Sequence, residues 1–181
     1  MHPVVYVFLG VLMAAALGLL FWMQRRMARP DTSRAAALMD RYRELTPETL
    51  AAVPDDEAAK AVVCNILAKA EEHRTDPYRL LPGLSEERRA VYTVWLFLKE
   101  LEHDPAALRQ KDQRTLSALA VDALRTLEVN PVADALDRFL ETGDTAEIDT
   151  LCTLTAEADV PSLLVAWIRS APEAFCDATR D

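Results

Sequence analysis

The sequence predicts an all-α fold: a single N-terminal transmembrane helix followed by a compact multi-helix bundle. Three observations carry this expectation. Glycine is confined to Gly10, Gly18, Gly83 and Gly143, and no alternating strand pattern with tight Gly turns occurs. Beyond residue 34 the apolar residues recur at helical spacing between prolines. The segment from Val4 to Met23 is twenty residues long and carries no charge.

That uncharged segment, VVYVFLGVLMAAALGLLFWM, extends about 30 Å as a helix, the hydrocarbon thickness of a bilayer. It lacks the basic start of a signal peptide, and its small residues Ala14-Ala15-Ala16 sit mid-run with more apolar residues after them, so residues 1–23 are expected to stay as an uncleaved anchor, with residues 3–23 in lipid. Arg25, Arg26 and Arg29 follow the span, and no Lys or Arg precedes it. The positive-inside rule therefore directs the C-terminal domain to the cytoplasm, with Trp22 at the interface. Gly10, Ala14 and Gly18 make a small-residue ridge of the kind that pairs membrane helices, here into a homodimer.

Residues 24–33 read as a basic juxtamembrane linker, with Ser33 as the cap of the first soluble helix. Residues 34–181 form the helical domain. Ala35 to Leu45 is a helix, and Thr46-Pro47 opens a short one reaching Val53. The run from Pro54 starts acidic and places Val62, Val63, Ile66, Leu67 and Ala70 on one side. Arg74 to Gly83 is a connector. Ser85 caps Glu86 to His103, whose stripe of Val91, Val94, Trp95, Leu98 and Leu101 marks the centre of the domain. Asp104-Pro105 ends that helix and begins one carrying Leu116, Leu119, Ala120, Ala123, Leu124 and Leu127. Asn130-Pro131 opens a helix with Val132, Leu136, Phe139 and Leu140, closed by Gly143. Asp144 caps a helix to about Ala158, and Pro161 starts the last. The expected total is six to eight helices.

Charge narrows the partners. From residue 35 onward 16 basic face 28 acidic residues, a net of −12. Such a domain repels nucleic acid, which excludes direct nucleic-acid binding, and favours another protein, a basic one included. Cys64, Cys152 and Cys176 are odd in number and contain no C-x-x-C pair. They read as reduced, structural thiols.

Catalytic signatures are scarce. Two glycines in the soluble part cannot build a phosphate loop, and there is no G-x-S-x-G elbow. The one cluster is Glu100, Glu102, His103 and Asp104. Glu100 and Glu102 point about 200° apart on a helix. Glu100 and His103 share a face in the Glu-x-x-His pattern of di-iron bundles, which need a second copy. His73, the other soluble histidine, has Ala70 where that pattern needs Glu. His103 at a helix C-terminus is accounted for by the helix dipole.

Leu81-Pro82, Arg89, Val91, Tyr92, Trp95 and Glu100, then Ala123-Leu124 and Leu127, follow one another in an order that resembles the bacterial DNA-mimic protein family. The likeness spans about residues 50–141. Where that family has Asn-Asn-Gly-Gly, this chain has Glu102-His103-Asp104-Pro105. The resemblance implies an acidic helical domain whose carboxylates imitate phosphates and occupy a DNA-binding protein.

The sequence thus points to a membrane-anchored, non-enzymatic protein-interaction domain at the cytoplasmic face of the membrane, with no cofactor. The alternatives are a DNA-mimic-like domain that sequesters a basic protein, and a helical-bundle metalloenzyme using Glu100 and His103.

Overall fold

The computed structural model describes residues 29–177, and every regular element among them is helical. The chain divides into one unit ending at Asp40 and a second from Arg41 to Asp181. The anchor residues Gly10, Ala14, Gly18, Trp22, Arg25 and Arg26 lie outside the described residues. Helix α1 spans Arg29–Arg41, so the second half of the expected linker is helical and Ser33 is not a cap. Pro30 is tolerated because it falls in the first turn, where its missing N–H has no intrahelical partner. Arg29 is the first residue of that helix.

The second unit is built from a succession of capped helices. Thr46 accepts from the Thr49 amide at 3.2 Å and opens α2, Pro47–Ala52. Helix α3, Asp55–Glu72, starts with three acidic residues that favour its positive end. The expected connector contains a one-turn helix, α4, Pro77–Leu80, capped by Asp76. Ser85 caps α5, Glu86–His103. A 3-10 turn over Pro105–Arg109 intervenes before α6, Lys111–Thr126. Then follow α7, Asn130–Thr142, α8, Ala146–Glu157, and α9, Val160–Ser170. The Asp144 carboxylate accepts from the Ala146 amide at 2.9 Å and holds the start of α8. A final 3-10 turn covers Pro172–Phe175.

Helices α5, α6, α7 and α8 pack each on the next, while α3 lies against both α5 and α9. The closing turn rests on α2, α5 and α9. Small residues make the close approach of α3 possible: Ala58, Ala61, Ala68 and Ala70 are all buried. Ile66, Phe97, Leu124, Leu136, Leu164 and Ile168 are enclosed as well, each fully buried apolar side chain contributing about 1.5–3 kcal/mol.

The periodicity of α5 names the right helix and three of its five stripe residues. Val91, Val94, Phe97 and Leu101 are buried, whereas Trp95 and Leu98 are only half-buried. The stripe is left open at those two positions, because Trp95 and Leu98 look toward a trough instead of a neighbouring helix. Leu67, Leu119 and Leu127 are likewise half-buried.

Among the described residues three helix ends turn through a left-handed residue other than glycine. Arg74, Glu128 and Asp159 adopt φ of 49°, 60° and 46°. After Glu128 the chain closes with the Val129 amide on the Leu124 carbonyl at 2.9 Å, and after Arg74 with the Thr75 amide on the Ala70 carbonyl at 2.9 Å. Both satisfy carbonyls that the helix end would otherwise leave open. Gly143, at φ 70°, is the position where glycine itself does this.

Candidate functional site

Helices α3, α5 and α9 leave a trough of 730 Å³ between them. Its apolar lining comes from Ala59 of α3, Trp95 and Leu98 of α5, and Leu164, Val165 and Ala166 of α9. Each helix contributes because its packing side is already used. Ile66 of α3, Phe97 of α5 and Ile168 of α9 point into the core, which turns the adjoining residues toward the opening. Across Leu98, Glu102 and Pro161 the trough continues into a second hollow of 320 Å³ bordered by α8.

The rim carries both signs in equal number. Asp55, Asp56 and Glu102 stand with Lys60, Lys99 and Arg169, so the trough is a neutral interruption in an acidic surface. Lys99 lies 5.0 Å from the centre of the Trp95 ring. Arg169 closes the other end: its Nη1 donates to the Leu50 carbonyl at 2.6 Å, its Nη2 to the Val53 carbonyl, and its Nη2 meets Asp55 at 2.8 Å. A trough apolar within and charged at its edges has the form that accepts the apolar face of a helix.

Glu100 and His103 are not brought into any such site. Glu100 is half-buried, His103 is exposed, and the His103 ring Nδ1 lies 3.0 Å from the Lys99 carbonyl. Glu102 is 3.8 Å from His103 on the same exposed helix end. Among the described residues no group of three or more His, Cys, Asp and Glu side chains is arranged to hold a metal ion. All three cysteines are free. Cys152 is exposed, contrary to the structural role expected of it, because it borders the open second hollow beside the trough. Burial raises the Cys64 thiol and pushes that of Cys176 up to about 11.

A second polar centre was not legible in the sequence. Asn65, wholly buried on α3, and Arg88, buried on α5, meet each other and the Asp177 carboxylate. An asparagine inside an apolar helical run was the only signal available for it.

Among the described residues no single helix is long and apolar enough to cross a membrane; α8 and α9 pass that test only as a pair bent by 47°. No family model, curated protein or solved structure matches the chain.

Proposed function

We propose that the chain is a membrane-anchored, non-enzymatic protein-interaction domain at the cytoplasmic face of the membrane, and that its trough seats one amphipathic helix of a partner protein. The observation that carries this reading is the trough itself. Half-buried Trp95, Leu98 and Val165 lie open between three helices, where an apolar helix face would complete their burial. The rim supports a helix flanked by charges of both signs, since three acidic and three basic side chains border it. The anchor rests on the uncharged stretch from Val4 to Met23 and the arginines that follow.

A photo-crosslinking residue in place of Leu98, in the full chain in its native membranes, tests the docking. The expected result is one crosslinked partner protein, lost on Val165→Asp and retained at high salt. Crosslinking equal to that from a control at exposed Asp149 would overturn the trough as the site, and crosslinking to a second copy would make it a self-association face. Steep loss with salt would favour the polyanion-mimic reading, because only binding through many charge pairs is screened that strongly. Removing residues 1–28 is expected to release the protein from the membrane fraction. A reporter active only in the cytoplasm, fused after Asp181, is expected to be active; retention of the shortened chain or a silent reporter would overturn the anchor and its orientation respectively.

A further inference from the structure

The last described residues are held by a polar pocket. Phe175 is wholly buried and meets Trp167 edge-on, ring centres 5.1 Å apart at 86°. Two residues later the Asp177 amide donates to the Leu45 carbonyl at 3.1 Å. Its carboxylate collects four donor groups. Oδ2 accepts from Asn65 Nδ2 at 3.0 Å and from the Leu45 amide at 3.4 Å, and lies 3.7 Å from Lys69 Nζ. Oδ1 faces Arg88 Nη2 at 3.3 Å.

Asn65 and Arg88 are enclosed while the carboxylate is reachable; Lys69, 30% exposed and also 3.8 Å from Glu72, stands at the mouth of the pocket. Asn65 is fully enclosed, and its Nδ2 shares its two hydrogens between the Asp177 carboxylate and the carbonyls of Tyr42 and Arg43, the latter at 3.1 and 3.0 Å. The Arg88 side chain is 10% exposed against 29% for that of Asp177. Arg88 Nη1 further donates to the Cys176 carbonyl at 3.5 Å, and its Nε is buried without a partner. A buried guanidinium is costly to leave without an anion. A guanidinium, an ammonium, a side-chain amide and a backbone amide converging on two oxygens make a carboxylate receptor.

We propose that Arg88, Asn65 and Lys69 form a carboxylate-binding site that the chain fills with its own Asp177, so that Cys176 and Asp177 act as a releasable latch on the Tyr42–Leu45 segment. The ligand class is a simple carboxylate or an acidic side chain of another peptide. Vacating the site leaves a positive pocket with a spare donor, which a free carboxylate re-occupies.

Cys176 reports the state of the latch, because it is 7% exposed when Asp177 is seated. The test uses the full chain in detergent, with Asp177→Ala and Asp177→Asn, in sodium acetate or sodium chloride at equal ionic strength. In chloride both variants are expected to alkylate Cys176 at least tenfold faster than wild type, read by mass spectrometry of the modified site. Acetate at three times its dissociation constant should slow Asp177→Ala about fourfold and raise its melting temperature by about 2 °C. Wild type and the Arg88→Met/Asp177→Ala double variant should show no difference between the two salts. An Asp177→Ala chain that folds only in acetate would also support the site. Acetate indistinguishable from chloride with Asp177→Ala would overturn the proposal, as would an acetate effect that survives the double variant. Asp177→Asn behaving as wild type would overturn it too, since charge would then not be what the pocket recognises.

Discussion

Lys99 holds its ammonium 5.0 Å from the centre of the Trp95 ring, one turn further along α5. A cation over an indole contributes about 0.5–1 kcal/mol where solvent reaches it. The contact covers part of a ring that the core does not enclose. Trp95 is therefore a surface aromatic kept in place by a charge, the residue type that most often anchors protein interfaces.

Stability and binding should accordingly separate along α5. Phe97→Ala is expected to cost about 3–5 kcal/mol, as truncation of an enclosed aromatic does, because Phe97 is 1% exposed. Trp95→Ala is expected to cost clearly less while abolishing capture of the partner. Thermal unfolding of the full-length variants decides it. Equal melting temperatures for the two would mean that Trp95 is core after all and that the trough is not a site.

Helical spacing carried the fold a long way here. Thr46, Ser85, Asp144 and Gly143 mark helix ends in the sequence because each meets a specific backbone need, and each does so in the structure. The faces of α3 and α7 also follow from spacing alone, with Val62, Ile66, Val132, Leu136 and Phe139 all buried. Spacing fails at Trp95 and Leu98, since it says that a residue lies on an apolar stripe but not whether a neighbour covers it. The trough needs three helices distant in sequence, and the Asn65–Arg88–Asp177 centre joins residues up to 112 positions apart. Neither leaves a local pattern. The ends at Arg74, Glu128 and Asp159 were hidden because a left-handed residue without glycine has no compositional mark.

Those unmarked ends yield a prediction of unusual sign. Glu128 is exposed, at φ 60°, a conformation costing a non-glycine residue about 1–2 kcal/mol. Glu128→Gly is expected to stabilise the domain by about 0.5–1 kcal/mol, the strain relieved less the extra chain entropy. Gly143→Ala should do the reverse, costing about 1–2 kcal/mol, because it imposes the same strain. A Cβ there would also fall 1.7 Å from Arg109 Nη1, displacing a side chain whose Nε donates to the Leu140 carbonyl at 3.3 Å. Urea unfolding of both variants checks the pair. Destabilisation by Glu128→Gly would show that its conformation carries no strain.

Arg169 should matter through backbone contacts more than through its ion pair. Arg169→Met leaves the Leu50 and Val53 carbonyls without their guanidinium donors, at an expected cost of about 1–3 kcal/mol. Asp55→Ala removes a partner whose side chain is 77% exposed and one of three acidic residues at the start of α3, at an expected cost of about 0.2–1 kcal/mol for each contribution. Chemical denaturation of the two variants gives the comparison. If Asp55→Ala proves as damaging as Arg169→Met, the salt bridge and not the carbonyl contacts closes that end of the trough.

Alkaline pH should weaken the domain through groups that burial keeps protonated. Desolvation pushes the Cys176 thiol from 9.0 up to about 11 and the Tyr92 phenol from 10.0 up to about 12. Between those values the unfolded chain has released protons that the folded chain still holds. The folded state then binds more protons, so unfolding free energy falls as pH rises. The Cys176 contribution is whole below pH about 9 and is lost as pH climbs from there toward 11; that of Tyr92 follows between about 10 and 12. Cys176→Ala should flatten the first part of this decline and leave the second, read as melting temperature from pH 8 to 11. Exposed Cys152 should meanwhile alkylate at pH 8 while Cys176 does not, which places the protected thiol inside the fold. A Cys176→Ala chain that loses stability between pH 9 and 11 as steeply as wild type would show that the thiol is not what the folded state protects.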